Sequence, residues 1–380
     1  MSGELRIALI GAGGVNFGGA EGPWDHASRL EQVGGVVVVG VADPDTKRAQ
    51  RVLAARRAGP AGAMYASAAA FADFHEMLSA VRPEAVFIGV PPHAHGATQP
   101  PGDMELACAA AGVHMFLEKP LGSVPPEELA PVAEALAKAA EAGLVISVGY
   151  VFRYSRAVET MQRILDEAGG GVRAVIARYD CAYSEIRKTE WWDVRTSGGP
   201  IVEQATHFVD LSRLLGGEAE LDSVQAVRID PHSPAAELAD MPVLTDGTRG
   251  DQTVPAEFRA PRTTAAVWRF ESGAVGSLTH GTLLHGQKYE SELEIWGDGL
   301  RMVLADPYGD CRLMVRRPHS ERTETIPFGD DDPYLSEVQA FIHAVRSGDA
   351  SGIRSPYADA LRTYELTWAI RRASEGKCRH

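Results

Sequence analysis

Residues 5–150 repeat one pattern, a short apolar run followed by a stretch of helical periodicity. The runs fall at 5–10, 36–42, 85–90, 114–117 and 145–150, with helical patterns at 25–32, 71–81, 104–111 and 127–142. Residues 36–42 are apolar throughout, which suits a strand buried on both faces, whereas a half-exposed strand alternates. Strands alternating with helices imply parallel pairing and a doubly wound α/β sheet. The pattern at 127–142 starts after Pro125-Pro126 and stops at Gly143, as helices do.

In such sheets ligands bind beyond the carboxyl ends of the strands, so the residues leaving each strand matter most. The first run passes into Gly11-Ala12-Gly13-Gly14-Val15-Asn16. Against the dinucleotide fingerprint, Gly11 permits the tight turn, Gly13 and Gly14 let a pyrophosphate approach the backbone, and a helix start offers its amides. Asn16 stands at the third glycine position, and Gly18, Gly19 and Gly22 follow, so a loop is inserted around 16–24. The second run ends at Asp43. A carboxylate there accepts hydrogen bonds from an adenosine ribose and repels a 2′-phosphate, which favours NAD over NADP. Lys47 and Arg48 close by keep NADP open. The turn Pro91-Pro92-His93 also leaves a strand, placing Pro91 at the cofactor crevice; His93 and His95 could reach the nicotinamide ribose but read better as solvent-facing loop residues. A plain turn explains the glycines equally well when they are taken alone.

The run at 114–117 leads into Glu118-Lys119-Pro120. The residue before a proline is pushed toward extended geometry, so Lys119 leaves its strand at a defined angle. At a sheet's carboxyl edge a lysine is partly desolvated, and burial draws its pKa toward the acid–base range. A surface Glu–Lys pair before a turn is the plain alternative.

At 380 residues the chain exceeds one ordinary core. The rhythm changes near 150, dividing it into domains 1–149 and 150–380. After a helix at 156–167, strands are expected at 172–181, 223–229, 263–270, 274–281, 291–296, 301–305, 312–316 and 324–327. Glycine-containing turns separate them, as in a large, mostly antiparallel open sheet. Residues 230–262 carry prolines and acids without periodicity and read as a long loop, and helices at 333–347 and 356–375 close the chain. Within this half, Gly198-Gly199 precedes a helical stretch on which Glu203, His207 and Asp210 share one face. His207 can exchange a proton, oriented by either carboxylate, although an ion network on a helix face has the same spacing. Nothing completes these three as a metal site. Trp191-Trp192 offers a flat wall for a sugar ring, or core packing.

A net charge of −14 argues against a nucleic-acid partner, and no apolar run reaches membrane-span length. Residues 1–4 lack the features of a signal peptide. Cys108, Cys181, Cys311 and Cys378 are scattered, which fits a reducing cytoplasm rather than a disulfide framework. The open sheet has more strands than one helical layer covers, so a homodimer or homotetramer is expected through it.

The glycine turn, Glu118-Lys119-Pro120, Gly149-Tyr150…Arg153 and the Gly-Gly…Glu203…His207 stretch together resemble the Gfo/Idh/MocA family of nicotinamide-dependent sugar and cyclitol oxidoreductases. The resemblance implies a Rossmann domain followed by an α+β domain, a carbohydrate-like small-molecule substrate, NAD or NADP as cofactor, and no metal. It gives Lys119 the transfer of the hydroxyl proton at the nicotinamide, places Glu118 and Lys119 of this motif at the cofactor, and makes His207 the helper. The family carries Asp where Glu203 stands, which puts the relay geometry in doubt. Tyr150, Arg153, Trp192 and Asp210 become substrate contacts. The Trp-Trp…Gln-Ala-Thr-His version resembles a branch handling glycosides or aminosugars, including aminoglycoside dehydrogenases of antibiotic biosynthesis. A glycoside hydrolase or lyase that retains NAD, an NADP-dependent ketosugar reductase and an inert cofactor-binding sensor remain as alternatives.

Overall fold

Six parallel strands hold the amino-terminal region together: β1 Leu5–Ile10, β2 Val36–Ala42, β3 Ala69–Phe71, β4 Ala85–Ile88, β5 His114–Leu117 and β6 Ile146–Val148. Their order is β3-β2-β1-β4-β5-β6, so the winding reverses between β1 and β4. The computed structural model describes residues 3–19, 22–285 and 289–376. It divides into two compact units, the first comprising residues up to Gly122, Glu127–Val151 and Asp332–Leu361, the second Ser123–Pro126, Phe152–Asp331 and residues from Arg362 on.

In the first unit Ile7, Leu9, Val38, Val41, Phe87 and Phe116 are completely buried, as strands covered on both faces require. Two elements were not anticipated. Strand β3 is three residues long, too short to show a period, and helix Thr46–Arg57 is rich in charged residues and fully buries only Ala49 and Leu53. Helix Phe74–Val81 starts later than expected because the Asp73 side chain caps it, accepting from Glu76 N at 2.9 Å.

A single cut at 149/150 does not describe the units, since residues 332–361 return to the first. Helix Pro333–Ser347, capped by Asp332, carries Val338, Phe341 and Ile342 on one stripe, and these join the core of the parallel sheet. Phe341 stands edge-on to Phe87 at 5.4 Å and to Phe116 at 5.7 Å.

The second unit is built on eight strands: β7 Val172–Ala182, β8 Ala219–Arg228, β9 Thr263–Phe270, β10 Val275–Leu284, β11 Tyr289–Gly297, β12 Arg301–Ala305, β13 Arg312–Arg316 and β14 Glu324–Pro327. Their order is β14-β13-β12-β11-β7-β10-β9-β8, and every pairing is antiparallel except β7 with β10. One face carries Tyr179, Trp268, Phe270, Leu278, Leu293 and Ile295 into the core. Helix Thr206–Gly216 packs there, with Phe208 against Tyr179 and Gly216 so near Phe270 that a Cβ would lie 2.6 Å from its ring. The register places Val227, Val267, Val275 and Trp296 together on the opposite face, where each is about half exposed or more.

Residues 230–262 are more ordered than their composition suggested. They bury Leu244, Val254 and Ala260 against Tyr183, Trp192 and Val194, and a buried Arg262–Asp251 pair at 2.9 Å anchors the segment. Cys108, Cys181 and Cys311 are buried free thiols, and Cys378 lies outside the described residues. No described helix is long and apolar enough to cross a membrane.

Candidate active site

In the first unit the chain turns at Gly11 immediately after β1. Gly11 has φ +94°, and a Cβ there would lie 2.5 Å from the Gly89 carbonyl oxygen, so only glycine fits. Gly13 and Gly14 are glycines for another reason. The φ of Gly13 is an ordinary −85°, and nothing lies within 4 Å of a Cβ built at either position. The protein's own packing leaves that space open, and it fits a pyrophosphate approaching the backbone. The following helix, Gly14–Phe17, is one turn long and ends at Gly18; the next begins at His26 behind an Asp25 cap.

Asn16, expected at the cofactor, is completely buried. Its Nδ2 donates to Ile10 O at 2.9 Å and Gly11 O at 2.7 Å, so the side chain braces the turn from within the protein. Asp43 stands at the end of β2, with Oδ2 accepting from Ala12 N and Oδ1 from Asp45 N, both at 2.8 Å. Each carboxylate oxygen can accept a second hydrogen bond, so the residue can still serve a ribose hydroxyl. Arg48 Nη1 is 3.8 Å from Asp43. Pro91 and His93 are exposed at the end of the β4 segment. His95 is not solvent-facing: it is buried with Nδ1 2.6 Å from Glu105 Oε1, a carboxylate that is itself 1% exposed and requires a partner.

Glu118 and Lys119 follow β5 directly, and Lys119 is half-buried. The Glu118 carboxylate lies 2.7 Å from Nε2 of His26, whose ring is buried against Phe87 and Phe116 at 5.3 and 4.9 Å. A Cβ at Gly149 would stand 3.1 Å from both Glu118 oxygens, so glycine there makes room for the carboxylate. Tyr150, expected at the substrate, is 1% exposed. From helix Pro333–Ser347, Glu337 enters the same region; burial, reinforced by the Glu118 charge, pushes its carboxyl well above the ordinary range, with Arg29 opposing. Neither His26 nor Glu337 announced itself, because each comes from an element whose packing on the sheet is a tertiary fact.

In the second unit Gly198 and Gly199, at φ +79° and +89°, turn the chain into two helices rather than one. Pro200–Glu203 is a single turn, Gln204-Ala205 breaks it, and Thr206–Gly216 resumes. Glu203 therefore does not share a continuous helical face with His207 and Asp210. The Glu203 carboxylate accepts from Trp191 Nε1 at 2.8 Å. His207 is 8% exposed and packs edge-on against Phe152 at 5.4 Å and Tyr308 at 6.3 Å. Arg153 and Asp210, expected as substrate contacts, form a buried two-pronged pair at 2.8 and 2.6 Å, with Thr363 also donating to Asp210. A buried carboxylate needs such a partner. Trp192 is likewise a core residue: it is completely buried, donates to Ile186 O, and lies under the Arg262 guanidinium. The half-buried member of the tryptophan pair is Trp191.

His280 on β10 was missed, since one histidine in a strand gives no signal. Its ring lies flat on Tyr179 at 5.2 Å and 12°, and burial holds its pKa down at about 3, so it is neutral. Among the described residues no group of three or more His, Cys, Asp and Glu is arranged to hold a metal.

A glycine turn and an acidic strand end at the carboxyl edge of a parallel sheet, followed by a second unit on a large open sheet, define a dinucleotide-binding oxidoreductase architecture. Residues 5–150 match the description "Oxidoreductase family, NAD-binding Rossmann fold", and residues 153–300 match an oxidoreductase C-terminal domain. An uncharacterized protein of Schizosaccharomyces pombe is 38% identical, covering 97% of this chain and 91% of its own length. Myo-inositol 2-dehydrogenase of Thermotoga maritima is 24% identical, covering 98% and 97%. In fold, levoglucosan dehydrogenase in complex with NADH and levoglucosan matches with a TM-score of 0.75 at 20% identity, covering 98% of both chains. The chain belongs to the Gfo/Idh/MocA family of oxidoreductases.

The folded protein holds the Glu337 proton to higher pH than the unfolded chain, which releases it above the ordinary value of 4.5. Stability attributable to this group is therefore present at low pH and withdrawn as pH rises from that value through the raised one. Glu337→Gln is expected to raise the melting temperature at pH 8 more than at pH 5, by about 2–4 °C per kcal/mol relieved. Thermal unfolding at the two pH values checks this, and a wild type more stable than the variant at pH 8 would contradict it.

Proposed function

We propose that the protein oxidises a secondary hydroxyl of a sugar, glycoside, aminoglycoside or cyclitol to a ketone, with NAD as the preferred cofactor. The observation that carries this reading is the place of Lys119. It follows β5 at the carboxyl edge of the parallel sheet, the edge at which Gly11, Gly13 and Asp43 also stand. A nicotinamide dinucleotide, when bound, supplies the hydride acceptor. The backbone from Gly11 to Gly14 receives the pyrophosphate and Asp43 the adenosine ribose. Lys119 accepts the substrate's hydroxyl proton, helped by His207, and Trp191 takes the sugar-facing role expected of Trp192. Three buried free thiols support a reducing compartment such as the cytoplasm. The names of relatives that act on myo-inositol and levoglucosan support a ring polyol as substrate.

A panel of cyclitols, sugars, glycosides and aminoglycosides, assayed for accumulating NADH, tests the reading. Product without net NADH would instead indicate a redox-neutral glycoside-cleaving cycle. Lys119→Met keeps the apolar stem and removes the amine, so turnover is expected to fall about 10²- to 10⁴-fold with NAD affinity retained. Turnover near wild type, or parallel loss of NAD binding, would remove Lys119 from the chemistry.

Asp43→Ser is expected to raise kcat/KM with NADP relative to NAD, because it removes the charge that repels a 2′-phosphate and leaves Arg48 beside the site. Steady-state kinetics with both cofactors decides this; a wild type preferring NADP would assign Asp43 to the turn alone.

We also propose that a second copy of the chain covers the face of the open sheet carrying Val227, Val267, Val275 and Trp296. Sedimentation at micromolar concentration is expected to give a dimeric or tetrameric mass, and Val267→Lys to shift it toward monomer. A monomeric wild type would rule this out.

A further inference from the structure

We infer that Gln204 determines substrate specificity, presenting a fixed pair of N–H donors beside the Glu203 carboxylate to read two neighbouring hydroxyls of a polyol. The inference rests on the dehydrogenase reading above and names what that site recognises.

The helix break at Gln204-Ala205 turns the Gln204 side chain onto the inner face of the open sheet, where Cys181 of β7 and His280 of β10 wait. His280 Nε2 lies 3.0 Å from Gln204 Oε1, and Cys181 Sγ lies 3.3 Å from the same oxygen. Burial keeps His280 neutral, so it carries one ring proton, and facing a carbonyl oxygen that proton is on Nε2. Burial likewise keeps Cys181 a thiol and hence a donor. With the amide oxygen placed toward both groups, the Nε2–H tautomer of His280 and the Cys181 thiol each have it as their acceptor. The flat stack of His280 on Tyr179 holds the imidazole in this orientation.

The amide nitrogen therefore points away from the sheet. Among the described residues none accepts a hydrogen bond from it, and Gln204 is only half-buried. Next in the chain stands Glu203, whose carboxylate is held by Trp191 Nε1 and whose charge reaches both His280 and Cys181. Acceptor and donors thus come from adjacent residues and are separately anchored. One hydroxyl of a vicinal diol donates to Glu203 and its neighbour accepts from Gln204. Side chains fixed in this way lose little entropy on binding, which is what discrimination between stereoisomeric polyols requires.

The test uses the full chain with NAD and the polyol turned over fastest in the panel, together with its monodeoxy analogues. Gln204→Glu keeps shape and the acceptor for His280 and Cys181 while replacing the donors. Gln204→Met, which removes both, serves if a second carboxylate beside Glu203 prevents folding. Either change is expected to raise KM for the polyol about 10- to 100-fold, with the effect falling mainly on KM rather than kcat. Wild type should also discriminate against one monodeoxy analogue, and the variants should lose that discrimination. KM within twofold of wild type, or parallel shifts for polyol and analogues that leave the discrimination ratio intact, would overturn the inference while leaving the dehydrogenase reading in place. Wild type that reduces NAD with no polyol would remove the reading itself, and this inference with it.

Discussion

The Gly89 carbonyl occupies the space that a side chain on Gly11 would need, and much of the first unit is arranged around this close approach. It occurs where the parallel sheet reverses its winding, between β1 and β4, so two strand ends must diverge within a few ångströms. Asn16 fills the space behind the turn and satisfies the carbonyls of Ile10 and Gly11. Asp43 ties Ala12 to the end of β2. A third glycine in place of Asn16 would take that donor from the Gly11 carbonyl, while Ile10 O would keep the Gly89 N–H, and an unpaired buried carbonyl carries a recognised cost. Ligand and fold thus make different demands on neighbouring glycines: Gly11 is required by the protein itself, whereas Gly13 and Gly14 leave room for something else.

Pairing of buried polar side chains is the second organising constraint. Within the first unit His26 holds Glu118, and Glu105 holds His95. Within the second unit Arg153 holds Asp210, and Arg262 holds Asp251. Pairs of this kind rarely stabilise a fold beyond what apolar residues would achieve, but removing one partner strands the other. Their contribution is to position backbone. The His26–Glu118 pair anchors the strand end from which Lys119 projects, and the Arg153–Asp210 pair anchors the helix that carries His207. Arg153 and Asp210, read from the sequence as substrate contacts, are bonded to each other.

The large sheet resolves a different problem. Its inner face is covered by one helical layer and its outer face keeps an apolar strip among charged neighbours such as Arg178, Glu290 and Glu292. Antiparallel sheets commonly cover one face and leave the other open. The inner face takes on the polar work instead, bringing His280 and Cys181 up beneath Gln204.

The repeated apolar runs by themselves determined the parallel sheet, the glycine turn, the acidic end of β2 and the place of Lys119. These depend on local chemistry, namely burial on both faces, a positive φ and the residue before a proline, all of which leave marks in neighbouring residues. The eight-strand sheet was legible through the glycine-containing turns between its strands. Only tertiary structure decided that residues 332–361 belong with the parallel sheet, because a helix's apolar stripe does not say which surface it will cover. Only tertiary structure broke the stretch holding Glu203 and His207 into two helices, buried Trp192 and exposed part of Trp191, and paired Arg153 with Asp210 across 57 residues of chain. Spacing specifies which side chains can share a face; whether a polar side chain meets a ligand or another buried charge depends on partners that approach from distant sequence.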